Sequence, residues 1–392
     1  MGLIWSPGYY EPGWRIGIDT GVTTDFSLIT YGTCNFDVNW GDGSTETVDN
    51  VGPTTTFTTT HNYSTPGTYT VEIDINSGDF RPYYNLNPAG GELVTLGDTP
   101  AGWSFGTALD RAFYGSTNLE TVGDINTSGV TTFIRTWRDC TSLESFSTID
   151  TSSAEIFSFT WYNCTSLTSF PLLDTSNATS FSQTWRNCNA LTSFPLLDTS
   201  SGTDFFQTWY GCSSVDNITT LGDTYSFPEI DTSIATAFSY AWYNCSSLTS
   251  FPPLDISLGT DFEATWRDCT GLTSFPALTA DKRPVSGTHF YQTWRGCSNM
   301  TDFPESFFDS WTATPIDNCF VQAWDGCSAL TATSVENILN SIAASAGQQS
   351  APGSGPDITI DYNAGTGTPN IATAVTNLKA RNWTITLNGV PQ

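Results

Sequence analysis

Large apolar residues recur along most of this chain at a fixed interval. Tryptophans stand at Trp137, Trp161, Trp185, Trp209, Trp242, Trp266, Trp294 and Trp324, and each is followed three residues later by a cysteine, from Cys140 and Cys164 to Cys297 and Cys327. A phenylalanine precedes each by four, from Phe133 and Phe157 to Phe290 and Phe320. The first three steps are 24 residues, and the later ones are 33, 24, 28 and 30. A worn copy with Leu109, Phe113, Ser116 and Leu119 at the matching positions makes a ninth unit, of the kind expected at an N-terminal cap. The 33-residue step holds an insertion of nine, because Phe227, Pro228, Ile230 and Asp231 restore the pattern of Phe194, Pro195, Leu197 and Asp198. Within one unit, Phe181, Trp185 and Cys188 are spaced i, i+4, i+7, which predicts one face of a short helix. Leu191, Phe194, Leu196 and Leu197 then predict a strand, and Asp198, Thr199 and Ser200 a turn. Strands stacked ~4.8 Å apart would make about nine rungs into a sheet on the order of 40 Å long, with Phe, Trp and Leu columns inside.

The flanks follow other patterns. Alternation from Thr68 to Ile73 predicts a strand, and Trp40-Gly41-Asp42-Gly43-Ser44 a tight turn after one. His61-Asn62-Tyr63 leads into a second turn at Pro66-Gly67. Residues 77–104, rich in Gly and Pro, read as a junction and first cap. Near the other end, Val335, Ile338, Leu339 and Ile342 are spaced for an amphipathic helix, and Gly347 to Pro356 reads as a loop. A strand over Asp357 to Tyr362, a helix over Ile371 to Lys379 and a strand over Trp383 to Leu387 complete a β-α-β element. Residues 1–15 carry Trp5, Tyr9, Tyr10 and Trp14 between Pro7 and Pro12, and predict an extended aromatic arm that orders against a partner subunit.

The repeated units resemble the BspA-type leucine-rich repeats of bacterial and phage surface proteins, in which a Phe-x-x-Cys motif precedes a Ser-Leu-Thr-Ser-Leu-like strand and an Asp-Thr-Ser-Asn-like turn. Cys164 to Phe181 is such a unit, with Trp in place of the family's Met-Phe pair. The Trp-Gly-Asp-Gly-Ser, His-x-Tyr and Pro-Gly-x-Tyr-x-Val elements resemble a PKD domain, an immunoglobulin-like sandwich used as a spacer or adhesion module. The last residues, Asn377 to Gly389, resemble more loosely the ends of BspA-type proteins from phages and marine bacteria. Together these imply an α/β leucine-rich-repeat solenoid of about nine rungs over 105–345, an all-β PKD-like sandwich over 16–76 and a β-α-β cap over 346–392.

Composition narrows the function classes. Hydrophobic residues are 38% of the chain while aromatics reach 14%, so the core rests on large rings. The net charge of −27 repels phosphate backbones and argues against nucleic acid. No run approaches the ~20 apolar residues of a membrane helix, and residues 1–15 lack the basic and apolar regions of a secretory signal.

Candidate chemistry is sparse. The regular cysteines lack Cys-x-x-Cys pairing and read as buried free thiols rather than metal ligands; a bridge between Cys34 and Cys319, outside the column, stays open. His61 falls on the PKD-like motif as a hydrogen-bonded position, and His289 has no evident nucleophile beside it, so no catalytic set is assigned. No carboxylate interrupts the repeat as a glycosidase pair would. The turn column Asp150, Asp174, Asp198, Asp231 and Asp255 reads as backbone capping, with calcium as the alternative there and at Asp42. The position after each Trp holds Arg138, Tyr162, Arg186, Tyr210, Tyr243, Arg267 and Arg295. Such a column braces itself by cation–π contact, or grips a glycan or protein partner; both readings stay open.

The sequence thus predicts a non-enzymatic protein without cofactor or metal, on the surface of a tailed-phage virion as capsid decoration or tail-fibre component. Its partners would be other virion subunits, further copies of itself, or a host-surface glycan or protein. The alternative is a secreted or cell-surface bacterial adhesin. Insertions after Cys212 and Cys269 are further places for recognition.

Overall fold

A computed structural model of the chain describes residues 13–21, 24–50, 56–78, 80–82, 92–100, 103–217, 221, 223–285, 289–313, 319–345 and 357–392. It divides into two compact units, Met1–Ala154 and Glu155–Gln392. Trp5, Tyr9, Tyr10 and the segment from Gly347 to Pro356 lie outside the described residues.

In the first unit, β1 (Trp14–Asp19), β2 (Asp25–Tyr31), β3 (Cys34–Asn39), β4 (Thr45–Asn50), β5 (Thr56–Asn62) and β6 (Thr68–Gly78) come from the alternating segments. β7 (Glu92–Leu96), β8 (Thr121–Val122) and β9 (Ser145–Phe146) follow, giving a sheet in the order β4-β3-β6-β1-β7-β8-β9 and a separate β2-β5 pair. β1 alternates buried and outward positions, with Trp14, Ile16 and Ile18 inward. The sheet does not stop at residue 76: β7 pairs antiparallel with β1 and parallel with β8, and β8 with β9, so it runs on into the first repeats.

The Trp-Gly-Asp-Gly-Ser turn is fixed by its own side chains. Gly41 has φ +83°, and a Cβ there would lie 2.4 Å from the Thr70 carbonyl oxygen, so only glycine fits. Trp40 stacks on His61 with centroids 4.9 Å apart, and the buried Tyr63 hydroxyl donates to the Trp40 carbonyl at 2.9 Å.

The expected α/β leucine-rich-repeat solenoid is not what forms. Among the described residues the strands lie in sheets of seven, three and two strands, none of which closes, and of the repeats only the first contribute strands, the two-residue β8 and β9, so no solenoid sheet runs the length of the repeats. Helices α1 (Ala332–Ala344) and α2 (Ala372–Lys379) both lie beyond the last Trp of the repeats, and within the repeats only Asn217 and Leu221 among the described residues are α-helical. The Phe-Trp-Cys segment is two successive turns. Residues two after each Phe and two after each Trp have positive φ, as at Phe159 and Asn163 (φ 61° and 62°) or Gln183 and Asn187 (57° and 63°), and a left-handed residue ends an α-helix. Alternate N–H groups bond within the turn and between units. Thr160, Tyr162 and Cys164 donate to carbonyls three residues back, while Phe159, Trp161 and Asn163 donate to Ser182, Thr184 and Arg186 of the next unit at 2.7–2.9 Å.

The expected strand fails for a different reason. Pro171, Pro195, Pro228, Pro252 and Pro276 follow the Phe that would carry it, and proline has no N–H to donate. The backbone closes instead into tight three-residue turns, Leu197 N–H to Pro195 at 3.0 Å and Leu254 N–H to Pro252 at 2.9 Å. Short parallel pairs survive at β8 and β9, where Gly123 and Ser147 stand in place of proline. The turn also carries Leu196 outward, 61% exposed, although a place in the interior was expected; Leu197 is buried.

Units of the second compact body nevertheless stack in register. Seven indoles from Trp161 to Trp324 lie face to face at 5.1–5.9 Å and within 10° of parallel. Phe170, Phe194, Phe227, Phe251 and Phe275 form a second row whose rings meet the indoles edge-on at 75–89°. The indole N–H groups of Trp185, Trp209, Trp242 and Trp266 find no hydrogen-bond acceptor and are flanked by these perpendicular rings. Thr184, Thr208, Thr265 and Thr293 hydroxyls donate to Phe carbonyls of the preceding unit at 2.8–3.0 Å. After the last Trp, α1 packs with α2, and β10 (Asp357–Ile360), β11 (Thr384–Leu387) and β12 (Val390–Pro391) form the third sheet, β10 and β11 parallel across α2.

Candidate functional site

The residue after each Trp lies between the buried indole and the left-handed residue that closes the turn, so it faces outward. In the second unit these residues make one row. The Arg186 guanidinium sits 5.5 Å from the Tyr162 ring centroid and 4.4 Å from that of Tyr210. Tyr210 stacks on Tyr243 at 4.4 Å and 9°, and Arg267 lies 5.3 Å over Tyr243. Arg295 ends the row differently, with Nε 3.0 Å from Asp325. In the first unit, Arg138 lies 5.6 Å over Tyr114.

A line of glutamines runs beside it. Arg186 donates to Gln183 and Gln207, Arg267 to Gln292 at 2.5 Å, Arg295 to Gln322 at 3.2 Å, and Gln292 to Gln322 at 2.6 Å. Arg138 and Arg267 also pair with the aspartate next in sequence, Asp139 at 3.2 Å and Asp268 at 3.3 Å. Each cation is therefore matched by a carboxylate, an aromatic face or an amide oxygen. Tyr210 is flanked by Arg186 and Tyr243, and Tyr243 by Tyr210 and Arg267, while the Tyr243 hydroxyl hydrogen-bonds with Asp268. Cation–π contacts at half-exposed sites contribute roughly 0.5–1 kcal/mol each. The row thus braces the stack and holds its outward rim in one geometry.

The aspartate column does a backbone task. Asp150, Asp174 and Asp198 each accept through Oδ1 from the N–H and hydroxyl of the Ser two residues on, at 2.7–3.1 Å. Those bonds hold the Asp150 and Asp198 carboxyls below the usual range. Asp231 and Asp255 accept from the N–H of Ser233 and Ser257 at 2.9 Å. Among the described residues no three His, Cys, Asp or Glu side chains converge as a metal cluster.

Asp42, Ser44 and His61 do come together, but not as a nucleophilic relay. His61 Nε2 faces both Asp42 Oδ2 at 2.8 Å and the Ser44 hydroxyl at 3.2 Å, while that hydroxyl donates to Asp42 at 2.5 Å. The Ser proton thus goes to the carboxylate rather than to the ring, and the three side chains lock the turn. The Ser44 hydroxyl and then His61 hold the Asp42 carboxyl down at about 2.

The cysteines are all free and buried, Cys34 and Cys319 included. Each column thiol from Cys188 to Cys327 donates to the Trp carbonyl of the preceding unit at 3.0–3.1 Å. Burial pushes the Cys188 and Cys269 thiols up to about 12, far from a reactive thiolate. His289 pairs in a backbone bridge with Asp261. Trp14, placed by the sequence on the assembly arm, opens β1 instead and is fully buried against Phe80, Trp103, Phe105 and Phe113.

The insertion after Cys212 builds something the sequence did not disclose. Asn217, fully buried, donates to the Phe194 carbonyl at 2.8 Å and to Asp223 at 3.0 Å, and accepts from the Phe194 N–H at 2.9 Å. Ser226 accepts from the N–H groups of Thr249 and Ser250 and donates to the Ser250 carbonyl. Beside these staples lies a half-open cavity of about 450 Å³ lined by Leu196, Asp223, Thr224, Tyr225, Phe227, Pro228 and Glu229. A polar Asn directly before an insertion was its one advance signal. Among the described residues no helix is long and apolar enough to cross a membrane. Comparison with family models, with curated proteins and with solved structures found no match to this chain.

Proposed function

We propose that this chain is a non-enzymatic surface protein of a phage virion, a capsid decoration or tail-fibre component, which adheres to a host surface or to other virion subunits. The braced row Tyr162, Arg186, Tyr210, Tyr243 and Arg267 carries this reading. A recognition surface that is already ordered loses little side-chain freedom on binding, and Tyr and Arg are the residues that most often anchor interfaces. The sequence resemblance of the N-terminal motifs to a spacer and adhesion module, and a net charge of −27 that keeps a displayed protein soluble and off nucleic acid, point the same way.

Mass spectrometry of purified virions tests the location, where recovery of the chain among the structural proteins is expected. Recovery in a cell-envelope fraction alone would favour a bacterial adhesin. The row is tested by changing Tyr162 and Tyr210 together to Phe, which removes two hydroxyls and leaves the stack and the Tyr243 bond to Asp268 in place. Retention of labelled protein on susceptible cells should fall at least tenfold, about 1.4 kcal/mol, with an unchanged melting temperature. Equal retention would remove the row as the site.

A further inference from the structure

We infer that the cavity beside the insertion is a binding site for an aliphatic primary ammonium, such as a lysine side chain presents. It is a built feature, since Asn217 and Ser226 tie both ends of the insertion into the stack with side-chain hydrogen bonds. Its lining divides by chemistry. Leu196, Tyr225 and Pro228 offer an apolar and aromatic wall that suits a methylene chain, while Asp223 and Glu229 place two carboxylates there and no lining residue is basic. An anion is repelled by that pair and by the chain's net charge of −27. A neutral apolar occupant would make no use of the two carboxylates, which stand at exposed positions on the rim. A cation with an apolar stem answers both halves, and the Tyr225 ring adds a cation–π partner.

The molecule supplies a partial precedent. Lys282, from the later insertion, brings its ammonium 3.6 Å from Glu229 Oε1 while donating to the Pro253 carbonyl at 3.1 Å. The Glu229 rim thus already draws an ammonium from outside the cavity.

The test is isothermal titration of the full chain with Nα-acetyl-lysine amide, with its Nε-acetylated neutral counterpart, and with butylammonium. Both ammonium probes are expected to bind with millimolar or tighter affinity and the acetylated probe not to bind. A lysine probe that binds more tightly than butylammonium identifies a partner's lysine as the source, and equal affinity a free amine; both outcomes uphold the site. Asp223→Asn with Glu229→Gln should weaken binding at least tenfold. Because Asp223 also holds Asn217, Glu229→Gln alone is the second variant, expected to weaken binding about threefold at an exposed position that leaves the staple intact. Lys282→Met should strengthen binding by releasing Glu229. The inference is overturned if neither ammonium binds, if the acetylated probe binds as well as the free one, or if the Glu229 variants bind as the parent does.

Discussion

At the scale of the residue, the left-handed positions decide the architecture. Those two after each Trp are Asp139, Asn163, Asn187, Gly211, Asn244, Asp268, Gly296 and Gly326, the residue types that tolerate positive φ. Asn244, at φ 58°, donates its N–H to the Arg267 carbonyl at 2.8 Å. Asn244→Val should cost about 1–2 kcal/mol in urea unfolding, whereas Asn244→Gly should be close to neutral. This signal was legible in the sequence, and so was the proline after each Phe. The i, i+4, i+7 spacing outweighed them because a helix and a pair of four-residue turns bury the same positions. The other left-handed column, Gln183, Gln207, Tyr240, Ala264 and Gln292, bears no such signature. There the bonds to the next unit, as from Gln183 to Phe206 at 2.8 Å, impose a conformation the residue itself disfavours. Asp42 makes a second residue-level prediction. Its carboxyl sits at about 2, below the ordinary 3.8, so its contribution is complete above pH 3.8 and is lost as pH falls toward 2. The difference in melting temperature between the parent and Asp42→Asn should be constant above about pH 5 and close progressively below pH 4.

At the scale of the element, the repeated turn is a way of satisfying a polar backbone beside a row of large rings. Half of its N–H groups bond within the turn and half to the next unit, while Thr hydroxyls and Cys thiols reach back to the carbonyls of the unit before. Stacked and edge-on aromatic pairs then add roughly 0.5–1.5 kcal/mol each beyond the area they bury. The cysteine is thus a small apolar filler with one weak donor, a reading the sequence already favoured from its regular spacing. All ten thiols are free and buried, so iodoacetamide at mildly alkaline pH should label none in the native protein and all ten after denaturation. Labelling of Cys188 or Cys269 in the native state would contradict the closed packing. The exposed Leu172 and Leu196 were not legible, because a Leu that follows Phe-Pro reads as core until the proline turn is known to rotate it outward. Nor was the cavity at the insertion, whose walls come from two units and from residues outside the repeat pattern.

At the scale of the molecule, equivalence between units makes the second compact body a sum of near-identical neighbours, and this can be tested by removing one. Deleting residues 181–204 joins Ser180 to Phe205, and Ser180 and Asp204 are equivalent positions that already pair as a parallel bridge. Phe157 would then face Phe205 as it now faces Phe181, and Trp161 would face Trp209 as it now faces Trp185. Tyr162 would meet Tyr210 without the intervening Arg186, an arrangement that Tyr210 and Tyr243 already show at 4.4 Å. Asn217 would lose Phe194 but find Phe170 at the equivalent place, which keeps the insertion stapled. The shortened chain should therefore unfold in one cooperative transition, with the near-ultraviolet aromatic circular dichroism reduced but of the same form and the melting temperature lowered by a few degrees. Deleting only residues 181–192 removes the Phe, the Trp and the Cys while leaving a Phe-Pro segment that keeps Trp209 on one side but lacks Trp185, the indole of its own unit, on the other. That chain should lose the cooperative transition and the near-ultraviolet signal of the stack, although it keeps more residues. If both deletions behaved alike, the 24-residue register would not be what holds the units together, and the energy would have to lie in contacts outside the columns.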